Sequence, residues 1–251
     1  MPAEDVLVTT AAGWDMWLDP ADQAVARSII ATGEWQSVEA ALIGTLVREG
    51  DTVIDVGANV GYMTGVLALA VGATGRVIAF EPEHRNHELV KRTVALNAWS
   101  QVSLHRAACG ESPGTLTLHR DDHNFGNHSL ARDTIHTAAT QVVEVVTLDE
   151  TTSTLDELAL IKLDVQGWEW HVLRGAQTLK RFSPVLVTEF FPRGLRLAGV
   201  DPRAMWAELE SWGDVLCVSP DGRVVPITFE EARGSDSDEW RNVDLVVRPR
   251  A

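Results

Sequence analysis

From residue 52 onward the chain alternates between short apolar runs and longer stretches with apolar positions at helical spacing. The short runs lie at 52–56, 76–80, 102–107, 160–163, 185–190, 215–218 and 243–247, and each reads as a strand. Helical spacing fills 61–71, 83–97, 168–179 and 201–212. Near-continuous apolar strands separated by amphipathic helices predict an α/β fold: a Rossmann-like, doubly wound, mostly parallel sheet covered on both faces. The last strand follows a turn-rich stretch instead of a helix, so it is free to enter antiparallel.

Upstream, 19–49 reads as two helices. Asp19-Pro20 has the form of an N-cap followed by proline at the first helical position, and Ser37 is placed to cap the second. Residues 1–50 are therefore expected to form a helical extension packed on a core domain of 51–251. The alternation breaks at 108–150. Two further strands at 114–118 and 142–147 flank a polar stretch, 120–140, rich in His, Asn and Asp. A β-rich insertion of this length in a compact domain is usually functional.

The chemistry concentrates at Val53-Ile54-Asp55-Val56-Gly57-Ala58-Asn59-Val60-Gly61-Tyr62. An apolar strand runs into two glycines and then into a helix. Glycine there permits positive φ and close approach of a ligand to the backbone, and the helix start adds N–H groups and partial positive charge. Glu81, followed by Pro82, ends the next strand about twenty residues on, the place from which a carboxylate accepts bonds from ribose hydroxyls. The spacing is G-x-x-x-G. It lacks the G-x-G-x-x-G of a pyrophosphate site and the G-K-[ST] of a P-loop. A nucleoside bearing an amino acid fits better than one bearing phosphates, with Asp55 near its cationic end.

These motifs resemble those of class I methyltransferases, and the wider pattern is similar to the FkbM family. The resemblance rests on D-V-G-A-N-V-G-Y, F-E-P, Gly33-Glu34-Trp35, the Asn127/Ser129 region, Thr147-Leu148-Asp149, Ile161-Lys162-Leu163-Asp164-Val165-Gln166-Gly167-Trp168-Glu169, Val172-Leu173-Arg174-Gly175-Ala176 and Thr188-Glu189-Phe190. Gln166 departs from the family, which often has glutamate there. The resemblance implies S-adenosyl-L-methionine as cosubstrate and O-methylation of sugars, polyketides or other hydroxylated metabolites. N-methylation, a catalytically silent donor-binding protein, and an NAD-dependent oxidoreductase are the alternatives. The missing G-x-G counts against the last.

On this reading Asp55, Gly57, Ala58, Asn59, Gly61, Tyr62, Glu81 and Pro82 hold the donor. Ala107 and Ala108 leave room for the adenine beside Cys109, and Asp164 contacts donor or acceptor. Glu34, Trp35 and Glu39 are candidates for a lid. Removing a proton from a hydroxyl needs a base near the strand tips or on the insertion. Asp164 and Glu189 end neighbouring strands, and Glu169 follows on the next helix. His128 is favoured among His123, Asn124, Asn127, His128 and His136 because imidazole titrates near neutrality. Lys162 is expected to turn away from the site, and His171 to be structural. Asp164 and Glu189 would suit Mg²⁺, but no third ligand is evident in the sequence, so no metal is expected.

Composition narrows the partners. The 251 residues carry 21 basic and 36 acidic side chains, a net charge of −15. Such a surface repels phosphate backbones, so a small-molecule or carbohydrate acceptor is expected and nucleic acid is not. Cys109 and Cys217 form no C-x-x-C pair. Glu4 and Asp5 replace a basic leader, and no stretch approaches the roughly 18–20 apolar residues of a membrane span, so a cytoplasmic location off the membrane is expected. The sequence leaves the oligomeric state open, a homodimer included. Nine tryptophans are many for this length, with packing the simpler use and a pocket wall the other.

Overall fold

The computed structural model describes residues 4–131, 140–234 and 242–250. The chain opens with a hairpin, β1 (Val6–Thr9) and β2 (Asp15–Leu18), followed by α1 (Val25–Thr32) and α2 (Ser37–Leu46). The extension is thus not purely helical. Asp19-Pro20 does not start a helix either. Asp19 instead accepts from the Ala21 N–H and from Arg85, while Asp22 accepts from the N–H groups of Ala24 and Ala26 at the start of α1. Ser37 is the first residue of α2, with no side-chain cap bond at that end.

The core runs β3 (Thr52–Val56), α3 (Tyr62–Val71), β4 (Arg76–Phe80), α4 (His84–Leu96) and β5 (Val102–His105). The insertion follows as β6 (Ala108–Cys109), β7 (Gly114–His119) and β8 (Thr140–Val146), which make a small sheet of their own in the order β6-β8-β7. The run 102–107 therefore divides: its strand stops at His105, and Ala108 belongs to the second sheet. Next come α5 (Leu148–Thr151), β9 (Leu160–Leu163), α6 (Glu169–Arg174), β10 (Val185–Phe190), α7 (Pro192–Leu197), α8 (Pro202–Trp212), β11 (Asp214–Val218), β12 (Val224–Pro226), α9 (Phe229–Arg233) and β13 (Val243–Arg248).

The main sheet has the order β12-β11-β13-β10-β9-β3-β4-β5. The pairs from β10 through β5 are parallel, and β13 enters antiparallel between β10 and β11. Every residue of β3 and β9 is buried, as expected for central strands covered twice. Side chains alternate between the two faces. Ile54, Val56, Ile161 and Leu163 join the core under α6 and α8; Val53 and Leu160 join the core under the hairpin and α1 to α3. The chain leaves β3 toward one side and β9 lies on the other, so the strand order reverses between them. Ligands settle over such a reversal, at the carboxyl ends of the strands.

The hairpin is fastened to α4 by side chains. Trp17 N–H donates to Thr93 Oγ1 and Asp15 N–H to Asn97 Oδ1, while Arg92 lies over the Trp17 ring and both Arg92 and Arg85 pair with Asp5. Trp14 fills the space that Gly65 leaves on α3 and touches Tyr62 and Trp99. Thr147 and Asp149 are also structural. Thr147 caps α5, and Asp149 Oδ1 accepts from Thr178.

One helix is shorter than its periodicity suggests. The stretch 168–179 splits into α6 and a 3₁₀ segment, Gln177–Phe182, with Gly175 at the break. A Cβ on Gly175 would overlap the Gly110 carbonyl of the insertion. The obstacle is backbone, which cannot rotate away. Gly175→Ala is therefore expected to cost about 1–3 kcal/mol. Gly114→Ala, where a Cβ meets nothing, should stay within about 0.5 kcal/mol of wild type. Urea denaturation of both variants checks this.

Candidate active site

The glycine loop is built from the inside. Gly57 has φ 82° and Gly61 φ 91°. A Cβ on Gly57 would overlap the carbonyl of Asp164, so the glycine is required first by the neighbouring strand tip. The loop amides are already engaged. Gly57 and Ala58 both donate to Phe80 O at 3.0 Å, and Asn59 donates to Glu81 Oε2 at 2.7 Å. These three loop amides are therefore spent within the protein and are not offered to a ligand. The engaged amides also explain physically why the spacing departs from a phosphate site. Glu81 Oε1 accepts from Glu83 N–H at 2.8 Å. Two backbone donors thus aim the carboxylate, and burial lifts its pKa to about 8.

Asp55 and Lys162 are cross-strand partners in register between β3 and β9. Their charges lie 3.4 Å apart, Asp55 also accepts from Thr64 Oγ1 at 2.6 Å, and Lys162 Nζ donates to Gly57 O at 2.9 Å. Burial alone would lower the Lys162 pKa, but Asp55, Asp164 and Glu39 outweigh it and hold the ammonium above its ordinary range. Asp55 therefore does not line the cleft. It anchors the lysine that carries the loop. Glu39, buried on α2, is pushed up to about 8 by burial, partly offset by Lys162.

Over the ends of β3, β4, β9 and β10 lies a cleft with an empty volume of about 1040 Å³, its open mouth included. Of the expected donor residues, Gly57, Asn59, Glu81, Pro82, Ala107, Ala108 and Asp164 line it. Ala58, Gly61 and Tyr62 lie behind the wall: Ala58 and Gly61 shape the turn, and Tyr62 packs on Trp14. Trp35 reaches the cleft beside Gln36, while Glu34 and Glu39 do not line it, so the lid reduces to Trp35. Among the tryptophans of the described residues, Trp35 and Trp168 are wall residues. The surroundings fit a nucleoside. Glu81 offers a carboxylate to ribose hydroxyls, and Ala107, Ala108 and Phe80 leave a flat, apolar space beside it.

The insertion forms the roof. Asp121, not anticipated from the sequence, accepts from the N–H groups of His123 and Asn124 and from Asn127 Nδ2. Phe125 N–H reaches Asp22 near α1, and Ser129 Oγ donates to Gln166 O. Asn124, Asn127 and His128 line the cleft; His123 bonds Gln23 instead, and His136 lies outside the described residues. His128 is a poor base in this setting. Its Nδ1 accepts the Asp121 N–H at 3.1 Å, so in the neutral ring Nε2 carries the hydrogen and the imidazole is a donor. His171 stacks on Trp168 at 3.9 Å, as a packing residue.

The floor is acidic. Gln166, held at φ 53°, donates through Nε2 to Asp164 Oδ1 at 2.8 Å and to Glu189 Oε2 at 3.3 Å. Asn242 donates to Glu189 Oε1 at 2.5 Å. Burial and then the Asp164 charge raise the Glu189 pKa well above the carboxylate range. Glu169 is fully buried, its Oε1 accepting from the N–H groups of Val165 and Gly167. Carboxylate oxygens of Asp164, Glu169 and Glu189 lie within 4.8 Å of one another. The third acid that the sequence did not reveal is therefore present.

A Rossmann-like sheet with a nucleoside cleft over its reversal is the arrangement that class I methyltransferases share with other nucleotide-binding folds. Residues 55–216 match the methyltransferase FkbM domain, and the chain belongs to that family of S-adenosylmethionine-dependent methyltransferases. No curated protein matches the chain in sequence. Among solved structures it is similar to the O-methyltransferase TomG of Streptomyces achromogenes, at 14% identity over 92% of this chain and 88% of that one, with a TM-score of 0.50. It is also similar to a precorrin-6y C5,15-methyltransferase from Geobacter metallireducens (12% identity, 93% and 97% covered, TM-score 0.46). A third likeness is to fibrillarin of Aeropyrum pernix (13% identity, 84% and 74% covered, TM-score 0.45). At these identities the likeness is one of fold. Among the described residues no helix is long and apolar enough to cross a membrane.

Two outcomes follow from the buried charges. Lys162→Met leaves Asp55 buried without its cation and should cost about 3–5 kcal/mol in chemical denaturation. Glu39 and Glu81 have folded pKa values of about 8 against an ordinary 4.5, so the folded state holds protons that the unfolded state releases. Their contribution is present below 4.5 and is lost as pH rises through about 8. The ligand-free chain should melt at a higher temperature at acidic than at alkaline pH within that window, and Glu39→Gln with Glu81→Gln should flatten the slope.

Proposed function

We propose that this methyltransferase acts on oxygen, methylating a hydroxyl of a small hydroxylated molecule or a sugar. The observation that carries the reading is the pair of carboxylates at neighbouring strand tips, Asp164 and Glu189, joined through Gln166 and facing the cleft that holds Glu81. S-adenosylmethionine bound over Glu81 supplies a methyl group on a positively charged sulfur. The remaining task of the chain is to seat the acceptor oxygen and receive its proton. Asp164 is half-buried at the cleft and is the assigned proton acceptor. Glu189, held by two side-chain amides, orients the same hydroxyl.

The walls suit such an acceptor. Asn124, Asn127, Gln166 and Asn242 provide amides that match hydroxyl groups, and Trp35 and Trp168 provide flat surfaces for a ring. A net charge of −15 disfavours nucleic acid. The same chemistry suits a cytoplasmic setting, where the donor is made.

Calorimetry with S-adenosylmethionine, S-adenosylhomocysteine and NAD tests the donor; binding of NAD alone would overturn it. Asp164→Asn should lower turnover roughly 10²–10⁴-fold while changing donor affinity far less. Products from a panel of hydroxylated and amino acceptors, mapped by NMR, test the atom. Transfer to nitrogen only would rule out the oxygen reading.

A further inference from the structure

The acidic floor contains one oxygen that the protein leaves without a partner. Glu169 is fully buried, and its Oε1 is spent on the Val165 and Gly167 N–H groups. Its Oε2 is buried with no hydrogen-bond partner among the described residues. A carboxylate oxygen stripped of water and left unpaired is costly unless something else neutralises it. Oxygens of Asp164 and Glu189 are within 4.8 Å of a Glu169 oxygen, a separation that ligands around a single small cation adopt. The same spot already draws hydrogen-bond donors, because Gln166 turns its neutral Nε2 amide toward both strand-tip carboxylates. Half a turn of that amide would present its oxygen instead, a fourth ligand of the same hard kind.

We propose that Asp164, Glu169 and Glu189 form a divalent-cation site on the cleft floor, of the oxygen-liganded kind that takes Mg²⁺, Mn²⁺ or Ca²⁺. Binding there does not depend on the identity of the acceptor. The use of the cation, to draw in and orient a hydroxyl oxygen beside the methyl donor, rests on the function proposed above.

Each group is suited to its part. Asp164 and Glu189 come from adjacent strand tips of the rigid sheet. Glu169 comes from the first turn of α6, and its Oε1 bonds fix the carboxylate plane. Trp168 precedes it and lines the same cleft, so the site carries its own optical reporter.

The test uses the full chain without added acceptor. Titration with Mn²⁺ and Mg²⁺ by calorimetry, and with Tb³⁺ by tryptophan-sensitised luminescence, should show one saturable site per chain. Glu169→Gln keeps an oxygen for the Val165 and Gly167 N–H groups and replaces the spare oxygen by NH₂. It should weaken Mn²⁺ binding at least about 10-fold, and Glu189→Gln should do the same if the first variant folds poorly. S-adenosylhomocysteine binding, measured on the same samples, reports the donor site separately. Wild-type protein that binds homocysteine nucleoside but shows no saturable cation site would overturn the proposal and leave the methyltransferase reading standing. Variants that bind Mn²⁺ as tightly as wild type would overturn it equally.

Discussion

A buried lysine organises this molecule. Lys162 sits in the middle of the sheet, paired with Asp55 across the β3–β9 register and bonded to the carbonyl of Gly57. Removing an ammonium from water is unfavourable by several kcal/mol, and only well-placed acceptors offset it. Here the acceptors are Asp55 on β3 and the carbonyl of Gly57 in the glycine loop, while the lysine itself comes from β9, the strand that carries Asp164. The requirement to satisfy one charge thus draws together the two strands between which the chain order reverses. It also fixes the height of the loop above the sheet. Glu81, which takes the Asn59 amide, and Phe80 O, which takes those of Gly57 and Ala58, then complete a self-contained corner.

Around that corner the protein divides into a floor and a roof. The floor consists of strand tips, Asp164, Gln166 and Glu189, held by cross-strand bonds and by Asn242 from β13. The roof is the insertion, gathered on Asp121 and tied at one end to Asp22 and at the other to Gln166. Acid groups are concentrated in the floor, and side-chain amides stand on both sides, Gln166 and Asn242 below and Asn124 and Asn127 above. A molecule placed between them meets carboxylates and amides below and amides above.

Much of the floor was legible in the sequence, because its signals are local. Apolar runs at 52–56, 160–163 and 185–190 read as buried strands, and an acid directly after such a run has to stand at a strand tip. Asp164 and Glu189 followed from that rule, as did Glu81. The β-rich character of the insertion followed from its alternation. The failures share another property: each depends on a partner far along the chain. Asp55 was read as a ligand contact because nothing local shows that Lys162 lies beside it. His128 was read as a base because the N–H of Asp121 that takes up its Nδ1 is visible only in the folded loop. Glu169 read as a further candidate on the next helix, and only folding brings it against two other acids. The hairpin at 6–18 was missed because four-residue strands carry little periodicity, and it is held by Thr93, Asn97, Arg85 and Arg92 from a distant helix.

The contact between Gly57 and the carbonyl of Asp164 has a consequence for how such a protein can diversify. Because the loop and the strand tip touch through backbone, neither can shift without carrying the other, and the donor loop and the Asp164 end of the cleft are set against a single mechanical reference. New acceptors cannot readily be accommodated by adjusting that reference, since any gain on one side would be repeated as an error on the other. The roof carries no such constraint. Its described part is held by the His119–Ser129 bridge, by one backbone bond from Gln23 N–H to His123 O and by side-chain bonds through Asp121, Asp22 and Gln166, so it can be rewritten while the loop and the strand tip stay in place.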